Sequence, residues 1–210
     1  PQVVDLPGSE AEIGLAADLL EGETLLRGPG ATKENFFLRA PESDLVMIST
    51  HTIEYPVFSG ETALLFSSEA GVRSEMDISR AILTADEIAK MDLSGAKLVV
   101  LAACESACGR AGFPGGRPGL AEAFARAGAS IVLSSLWRID DEAARFFICS
   151  FLDELSVTGE AAGAVRSARM KAISEAVKPG DISLNIEGRA PFPHLDPRPA
   201  ILNNAGMFVP

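Results

Sequence analysis

The stretch Leu98–Ser106, LVVLAACES, begins as an apolar run and reaches Cys104 at its end. An earlier run, DLVMISTHT at residues 44–52, leads in the same way to His51. Continuously apolar runs of this length are typical of strands buried on both faces of a parallel sheet. In such sheets, catalytic groups collect where the carboxyl ends of the strands meet their loops. A cysteine and a histidine at two such ends predict a nucleophile and its acid/base partner.

The segments around these two strands alternate between strand and helix patterns. LTADEIAKM, residues 83–91, carries a capping box in which Thr84 is the N-cap and Glu87 follows three residues later. Residues 119–128 predict a helix that ends at Gly128, and ASIVLSSLW predicts the next strand. We also expect strands near residues 23–27 and 62–67, and helices near 9–20, 33–40, 140–155 and 159–174, with Ser9 and Thr32 as N-caps. This alternation predicts right-handed parallel crossovers and a three-layer α/β/α sandwich with a mostly parallel central sheet.

The composition indicates one domain, covering residues 1–210, with enough apolar residues (47%) to bury a full core. Lys and Arg total 18 against 29 Asp and Glu, and this net charge of -11 argues against a nucleic-acid partner. No run reaches the ~18 apolar residues of a membrane span and no signal peptide is visible, so we expect no membrane partner and a cytoplasmic location. Because the chain begins at Pro1 without an initiator methionine, we expect a fragment of a larger or processed protein. From Lys178 onward Pro and Gly dominate, so residues 178–210 are expected to form an irregular segment that completes the domain.

Each candidate catalytic residue also has a plain structural explanation. A free cysteine such as Cys104 is most often a small buried hydrophobe, and its ordinary pKa of ~8.5 leaves little thiolate at neutral pH. His51 could be a hydrogen-bonded, inert residue, although a histidine pKa near ~6.5 suits acid/base chemistry. Cys149 lies in an apolar helical stretch and is expected in the core, and His194 lies in a proline-rich loop and is expected on the surface.

The sequence gives little support to a phosphate site or a metal site. The glycine-rich loop at residues 109–119 joins a strand to a helix but lacks the Gly-Lys-Ser/Thr of a P-loop. Cys104 and Cys108 lack two further metal ligands at sensible spacing. We therefore expect no metal and no cofactor, and we interpret the loop as a flexible segment beside the active site.

Three acidic residues, Asp140, Asp141 and Glu142, open the helix that follows Trp137. Helix capping and the helix dipole account for acidic residues at this position. The same residues would also lie at the carboxyl end of a strand, where a carboxylate could contact a cationic substrate side chain. The sequence alone leaves both interpretations open.

Taken together, these segments resemble the CHAT family of caspase-like domains, which is related to separase, gingipain and legumain-type cysteine peptidases. The family has a strand ending Ala-Thr-His-Gly, matched by residues 49–52, and then Leu-Thr-Ala-Glu-Glu-Ile, matched by residues 83–88. It continues with a strand ending Ser-Ala-Cys-Glu-Thr, matched by residues 102–106. A strand ending Ser-Leu-Trp, with Asp-Asp soon after, is matched by residues 134–141. The resemblance runs in order over roughly residues 5–175.

The resemblance implies a Cys/His dyad in which Cys104 is the nucleophile and His51 the acid/base. It also implies an oxyanion hole made by the backbone N–H groups of Cys104 and Thr52, where Thr52 stands in place of the glycine usual in caspase-like folds. Related separases carry an acidic residue in the pocket for the residue before the cleaved bond, which implies that Asp140 or Asp141 binds a basic side chain.

The leading hypothesis is therefore a cysteine endopeptidase that acts on a protein or peptide substrate. CHAT domains usually follow helical repeats in bacterial proteins and are switched on by a partner. The resemblance thus implies an activating partner, or N-terminal helical repeats outside this chain. A catalytically silent caspase-like interaction or signalling module is the alternative, favoured by Thr52 and by the poor match of residues 194–209 to the family's C-terminal strand. A hydrolase or transferase of small amides is a third hypothesis.

Overall fold

The structure is a computed structural model that describes residues 7–19, 24–55, 61–68, 79–103, 119–135, 139–174, 184–188 and 200–204. The α-helices in these ranges are α1 (Pro7–Leu19), α2 (Lys33–Arg39), α3 (Ala85–Ile88), α4 (Leu120–Arg126), α5 (Asp141–Thr158) and α6 (Ala161–Ser174). The strands are β1 (Thr24–Arg27), β2 (Leu45–Ser49), β3 (Thr52–Tyr55), β4 (Glu61–Leu65), β5 (Ile82–Thr84), β6 (Leu98–Ala102), β7 (Ile131–Ser135), β8 (Leu184–Gly188) and β9 (Ala200–Asn204). Short 3-10 helices cover Gly28–Gly30 and Ala40–Glu42.

A six-stranded sheet forms the centre, in the order β1-β9-β2-β6-β7-β8. Its strands run parallel except β8, which pairs antiparallel with β7. The residues of β2 and β7 are all buried, as expected of strands covered by helices on both sides. The predicted caspase-like α/β/α sandwich is thus confirmed.

The side chains of the central strands alternate between two apolar layers, because successive residues of a strand point to opposite faces. One layer joins the sheet to α2, α3 and α4 and includes Phe36, Val46, Ile48, Ile88, Val99, Leu101, Phe124 and Val132. The other joins it to α1, α5 and α6 and includes Ile13, Leu45, Met47, Leu98, Val100, Phe147, Phe151 and Leu155. Burying each of the larger side chains contributes about 1.5–3 kcal/mol to the free energy of unfolding.

Strand β4 lies in a different kind of sheet from the one that its sequence predicts. Residues 62–67 predict a strand covered on both faces, as in a parallel sheet, but β4 lies in a separate antiparallel sheet, in the order β3-β4-β5. Residues 63–67 are buried all the same, so burial on its own does not distinguish the two sheets. The small sheet follows β2 directly along the chain, and this connection places it beside the carboxyl end of the central sheet.

Most of the predicted helix termini are confirmed. The Thr32 hydroxyl accepts a hydrogen bond from the N–H of Asn35 (3.2 Å), and Thr84 and Glu87 form the reciprocal capping box. Gly128 follows the end of α4 with a φ of 109°. Ser9 is the exception: α1 already begins at Pro7, so Ser9 lies inside the helix. Proline suits the first helical position because its fixed φ is helical and its missing N–H would lack a helical partner there.

The C-terminal prediction is wrong where the structure describes this region. Loop was expected from Lys178 onward, but residues 184–188 form β8 and residues 200–204 form β9. β9 lies between β1 and β2 and pairs parallel with both. The sequence signal is weak because AILNN has only three apolar residues and follows a proline-rich segment. β8 and β9 are held in the sheet by pairing with strands that are distant along the chain.

Candidate active site

The backbone at His51 is held at the junction of the two sheets. The hydroxyl of Thr50, which is fully buried, donates to the carbonyl oxygen of Leu65 (2.6 Å). The N–H of Leu65 in turn donates to the carbonyl oxygen of His51 (3.0 Å). These two bonds join the segment after β2 to the end of β4, while the His51 side chain is partly exposed. A partly exposed histidine whose backbone is held in place is suited to proton transfer.

The strands that lead to His51 and Cys104 are direct neighbours. β2 and β6 pair in parallel over five positions, from Leu45 opposite Leu98 to Ser49 opposite Ala102. His51 follows Ser49 by two residues, and Cys104 follows Ala102 by two. His51 and Cys104 are therefore each two residues beyond the last pair of the register, Ser49 and Ala102. Cys104 and Cys108 are outside the described residues, so the dyad stays a prediction.

Thr52, the predicted second oxyanion donor, is the first residue of β3 and lies opposite Leu64 of β4. This pairing gives the residue after His51 an extended backbone. A β-branched threonine is well suited to such a strand position, in which glycine would be less stable. The strand setting explains why threonine is accommodated at this position, and the oxyanion role itself stays a prediction.

At the carboxyl ends of β6 and β7, a side chain connects the two strands. The hydroxyl of Ser135 donates to the carbonyl oxygen of Ala103 at 2.9 Å, and both residues are buried. Ala103 is the residue directly before the predicted nucleophile. The neighbouring Ser134 is equally buried, but its hydroxyl has no hydrogen-bond partner among the described residues.

A buried carboxyl group, Glu12 of α1, lies close to the end of β2 and was not predicted as a site residue. Its side chain accepts a hydrogen bond from the Ser49 hydroxyl (2.8 Å), and the residue is only 3% exposed. Burial raises the pKa of Glu12 to about 7; the Ser49 bond and Arg145 oppose this rise, whereas Asp141 adds to it. The available sequence signal was weak: Glu12 precedes Ile13 on the buried side of α1, and Ser49 ends an otherwise apolar strand.

The acidic residues at the start of α5 have contacts that the helix itself explains. The Asp140 carboxylate accepts hydrogen bonds from the N–H groups of Glu142 (3.0 Å) and Ala143 (3.4 Å), so it is the N-cap of α5. Asp141 is partly buried, and its negative charge acts on Glu12. The capping interpretation is confirmed for Asp140, and the contact of either residue with a substrate stays a prediction.

Cys149 in α5 is partly buried, which fits the prediction of a core residue only in part. Burial raises the pKa of its thiol, and the negative charge of Glu12 raises it further. A thiol with a raised pKa is a poor nucleophile at neutral pH. The reactivity of the Cys149 thiol can therefore be compared with that of Cys104 in the same protein. His194 lies outside the described residues, so its predicted surface position is not tested.

An open groove of about 390 Å³ lies elsewhere in the described part of the chain. It is lined by Phe37, Pro41, Glu87, Lys90, Met91 and Asp92. Pro41 and Asp92 precede β2 and β6, so the groove lies toward the amino ends of these strands. His51 follows the opposite end of β2, which separates this groove from the candidate active site. None of the described helices is both long and apolar enough to cross a membrane.

Comparison with known proteins agrees with this architecture. The family model described as CHAT domain matches residues 2–192. The matched range includes both strands that lead to His51 and Cys104. A search of curated proteins finds no match to the chain.

Proposed function

The chain belongs to the CHAT domain family, and from this membership we propose that it is a cysteine endopeptidase with Cys104 as nucleophile and His51 as acid/base. The observation that carries the proposal is the five-residue register between β2 and β6, which ends at Ser49 and Ala102. Since neighbouring parallel strands end at the same edge of a sheet, this register supports the proposal that His51 and Cys104 act together.

The proposed reaction is acyl transfer through a thioester. The thiolate of Cys104 attacks the peptide carbonyl carbon, and the carbonyl oxygen becomes an oxyanion. The backbone N–H groups of Cys104 and Thr52 would donate to this oxygen. The imidazolium of His51 protonates the leaving amine, and water then hydrolyses the thioester with His51 as base.

The proposed substrate is a protein with a basic residue before the cleaved bond. Asp140 and Asp141 begin α5 directly after the segment that follows β7, and an acidic pair there would attract a cationic side chain. We propose that an activating partner, or an attached helical-repeat region, controls access to the site. An enzyme controlled in this way would cleave few proteins.

The alternative is a catalytically silent interaction or signalling module. The observation that favours it is Thr52, which begins a paired strand at the place where related folds usually have glycine. A side chain at this position narrows the approach to the proposed oxyanion hole. Such a module would bind a protein partner without cleaving it.

The deciding experiment is labelling with a peptidyl electrophile that carries Lys or Arg before its warhead, followed by mass spectrometry. We expect fast labelling at Cys104 alone in the wild type, and loss of this labelling in Cys104→Ala and His51→Ala. Cys149→Ala is the matched control and should label like the wild type, because the raised pKa keeps that thiol protonated. Slow labelling spread over the three cysteines and indifferent to His51 would favour either the silent module or a protease that awaits its activator. Activity restored by the full-length protein or a partner would then separate these two.

The basic-residue preference is tested with a peptide panel and two variants of Asp140. Asp140→Asn keeps a side-chain oxygen for capping but removes the charge, whereas Asp140→Ala removes both. If Asp140 binds the basic side chain, both variants lose the preference, and only the alanine variant also lowers the melting temperature. Best cleavage after neutral or acidic residues would rule out the acidic pocket.

A further inference from the structure

We propose that the outward face of α6 is a docking surface for an acidic, amphipathic helix of a partner protein. This face carries four exposed side chains, Arg166, Arg169, Met170 and Ile173, which we call the α6 stripe. Their spacing of three and four residues places them on one side of the helix, over about two turns. The inference does not depend on the proposed cleavage, because a catalytically silent module could bind a partner through the same face.

The opposite side of α6 is taken up by the protein's own core. Most of its buried residues belong to the apolar layer that includes α1 and α5, and these buried residues are Ala161, Ala164, Val165, Ala168 and Ala172. Ser167, which is partly buried, donates to the carboxylate of Glu154 in α5 (3.1 Å). The α6 stripe is therefore not needed to hold α6 on the domain.

The stripe contains two adjoining apolar side chains that water can reach. Met170 is 59% exposed and Ile173 is 56% exposed, and they lie three residues apart on one helix. The other large apolar side chains that are exposed among the described residues, Leu25, Leu38 and Val157, lie on three different elements. Single exposed apolar residues are ordinary on protein surfaces, whereas adjoining ones rimmed by polar residues favour an interaction site.

The charge of α6 is opposite to that of the chain as a whole. Its 14 residues include Arg166, Arg169 and Lys171 but no acidic residue, whereas the chain has a net charge of -11. None of these three cations forms an ion pair with another residue that the structure describes. A guanidinium group binds a carboxylate through two parallel hydrogen bonds. The stripe thus complements a helix that carries Asp or Glu beside apolar side chains.

Two other occupants fit this face less well. Two apolar side chains give little area for insertion into a membrane, and a chain of net charge -11 is repelled by anionic lipid. A second copy of the chain brings the same net charge and is repelled in the same way. A short acidic helix responds mainly to the local charge of the stripe, because salt screens charges more than about 8 Å away at physiological ionic strength.

An array of synthetic helical peptides tests this surface on the whole 210-residue chain. The peptides have about 18 residues, enough to form a helix, and combine Leu on one face with Glu, Gln or Lys beside it. We expect the Glu peptides to bind with a Kd of roughly 10–500 µM, as for a contact two turns long, and the Lys peptides not to bind. Attraction to the average charge of the chain would give the reverse order.

Two double variants separate the charged and apolar parts of the stripe, with fluorescence anisotropy as the measurement. Arg166→Gln with Arg169→Gln should weaken binding of the Glu peptides by roughly 3- to 30-fold and remove most of its salt dependence. Met170→Ser with Ile173→Ser should weaken binding by roughly 10-fold at every salt concentration. Because all four side chains are exposed, both variants should keep the wild-type melting temperature.

The matched control is Leu38→Ser with Arg39→Gln. It replaces an exposed apolar residue and an exposed basic residue of α2, a helix outside the proposed surface. The same types of side chain are thus lost at another place, and we expect peptide binding to stay at the wild-type value.

Any of several results would overturn the proposal. These are binding of the Lys peptides as tight as that of the Glu peptides, wild-type binding by both stripe variants, and no Glu peptide with a Kd below about 1 mM. Sedimentation with phosphatidylserine vesicles that both stripe variants lose would assign the face to a membrane instead. A concentration-dependent dimer that the same variants lose would assign it to a second copy of the chain.

Discussion

At the scale of single residues, Glu12 is the described side chain whose ionisation is most altered by folding. Its pKa moves from the ordinary 4.5 to about 7, chiefly because burial disfavours the charged carboxylate. Arg145 and the Ser49 hydroxyl offset part of this effect, and Asp141 reinforces it. Since Ser49 is two residues before His51, the ionisation of Glu12 bears on the stability of the strand end that carries the candidate acid/base.

We predict that Glu12 makes the protein less stable as the pH rises from about 4.5 to about 7. In this window the native state keeps the proton of Glu12 while the unfolded state loses it, so the free energy of unfolding falls with pH. Relative to Glu12→Gln, which cannot ionise, the wild type should lose about 3 kcal/mol across the window. Urea unfolding at a series of pH values measures this difference.

The control for this measurement is Asp18→Asn, which removes an exposed carboxyl group from the same helix. We expect the difference in the free energy of unfolding between this variant and the wild type to vary little over the same pH window. A wild type and a Glu12→Gln variant with parallel stability profiles would show that Glu12 has an ordinary pKa in the folded protein.

Residues with local signals could be predicted from the sequence, and those that act through distant contacts could not. Thr32, Thr84 and Asp140 cap helices as predicted, because a cap depends on residues two or three positions away. Ser135 and Glu12 were not singled out, since their partners lie 32 and 37 residues away along the chain. No local pattern shows which buried hydroxyl approaches which carbonyl or carboxylate.

At the scale of elements, the turn between α4 and β7 depends on Gly128. Its φ of 109° is a conformation that residues with a side chain rarely adopt. A Cβ atom at this position would lie 2.9 Å from the backbone nitrogen of Ser94 and 3.0 Å from its Cα. The N–H of Leu93 donates to the carbonyl oxygen of Ala127 (2.7 Å), so the turn also holds the segment that enters β6.

We predict that Gly128→Ala lowers the free energy of unfolding by on the order of 1–3 kcal/mol, because both the backbone conformation and the contact with Ser94 become strained. Gly14→Ala is the matched control in the interior of α1, where the added Cβ would meet no described atom within 4 Å apart from its chain neighbours and the helix's own backbone. That variant should instead stabilise the protein by up to about 1 kcal/mol. Chemical denaturation measures the free energy of unfolding of the two variants. A change of the same sign in both would contradict the prediction.

The elements that the sequence predicts well are those with long or strongly patterned segments. The apolar runs at β2, β6 and β7 and the helical periodicity of α5 and α6 are confirmed. The assignment of β4 to its sheet was wrong because an apolar run indicates burial and does not name the neighbouring strand. β8 was missed although Leu184–Glu187 alternate between apolar and polar residues, and β9 was missed because AILNN has no regular alternation and follows a proline-rich segment.

At the scale of the whole molecule, the central sheet depends on the last described strand of the chain. β9 lies between β1 and β2, pairing with four residues of β1 and five of β2. Among the described strands, β1 pairs with β9 alone. Parts of the chain more than 150 residues apart must therefore meet before the sheet is complete, as the pairing of Thr24 with Ile201 shows. Such distant pairings form late because closing the long loop between them costs conformational entropy.

We predict that truncation after Gly188 abolishes cooperative folding, although the strands that lead to His51 and Cys104 remain in the chain. Without β9, β1 loses its described partner and β2 exposes an apolar edge to solvent, which favours aggregation. Thermal unfolding followed by circular dichroism should show no sharp transition. Truncation after Asn204 is the control: it keeps β9 and should preserve the transition. If the shorter protein unfolds with the wild-type midpoint, β9 contributes little to the sheet. If it does not, the candidate dyad depends on residues that come roughly a hundred positions after its cysteine, because β9 pairs with β2, the strand that leads to His51.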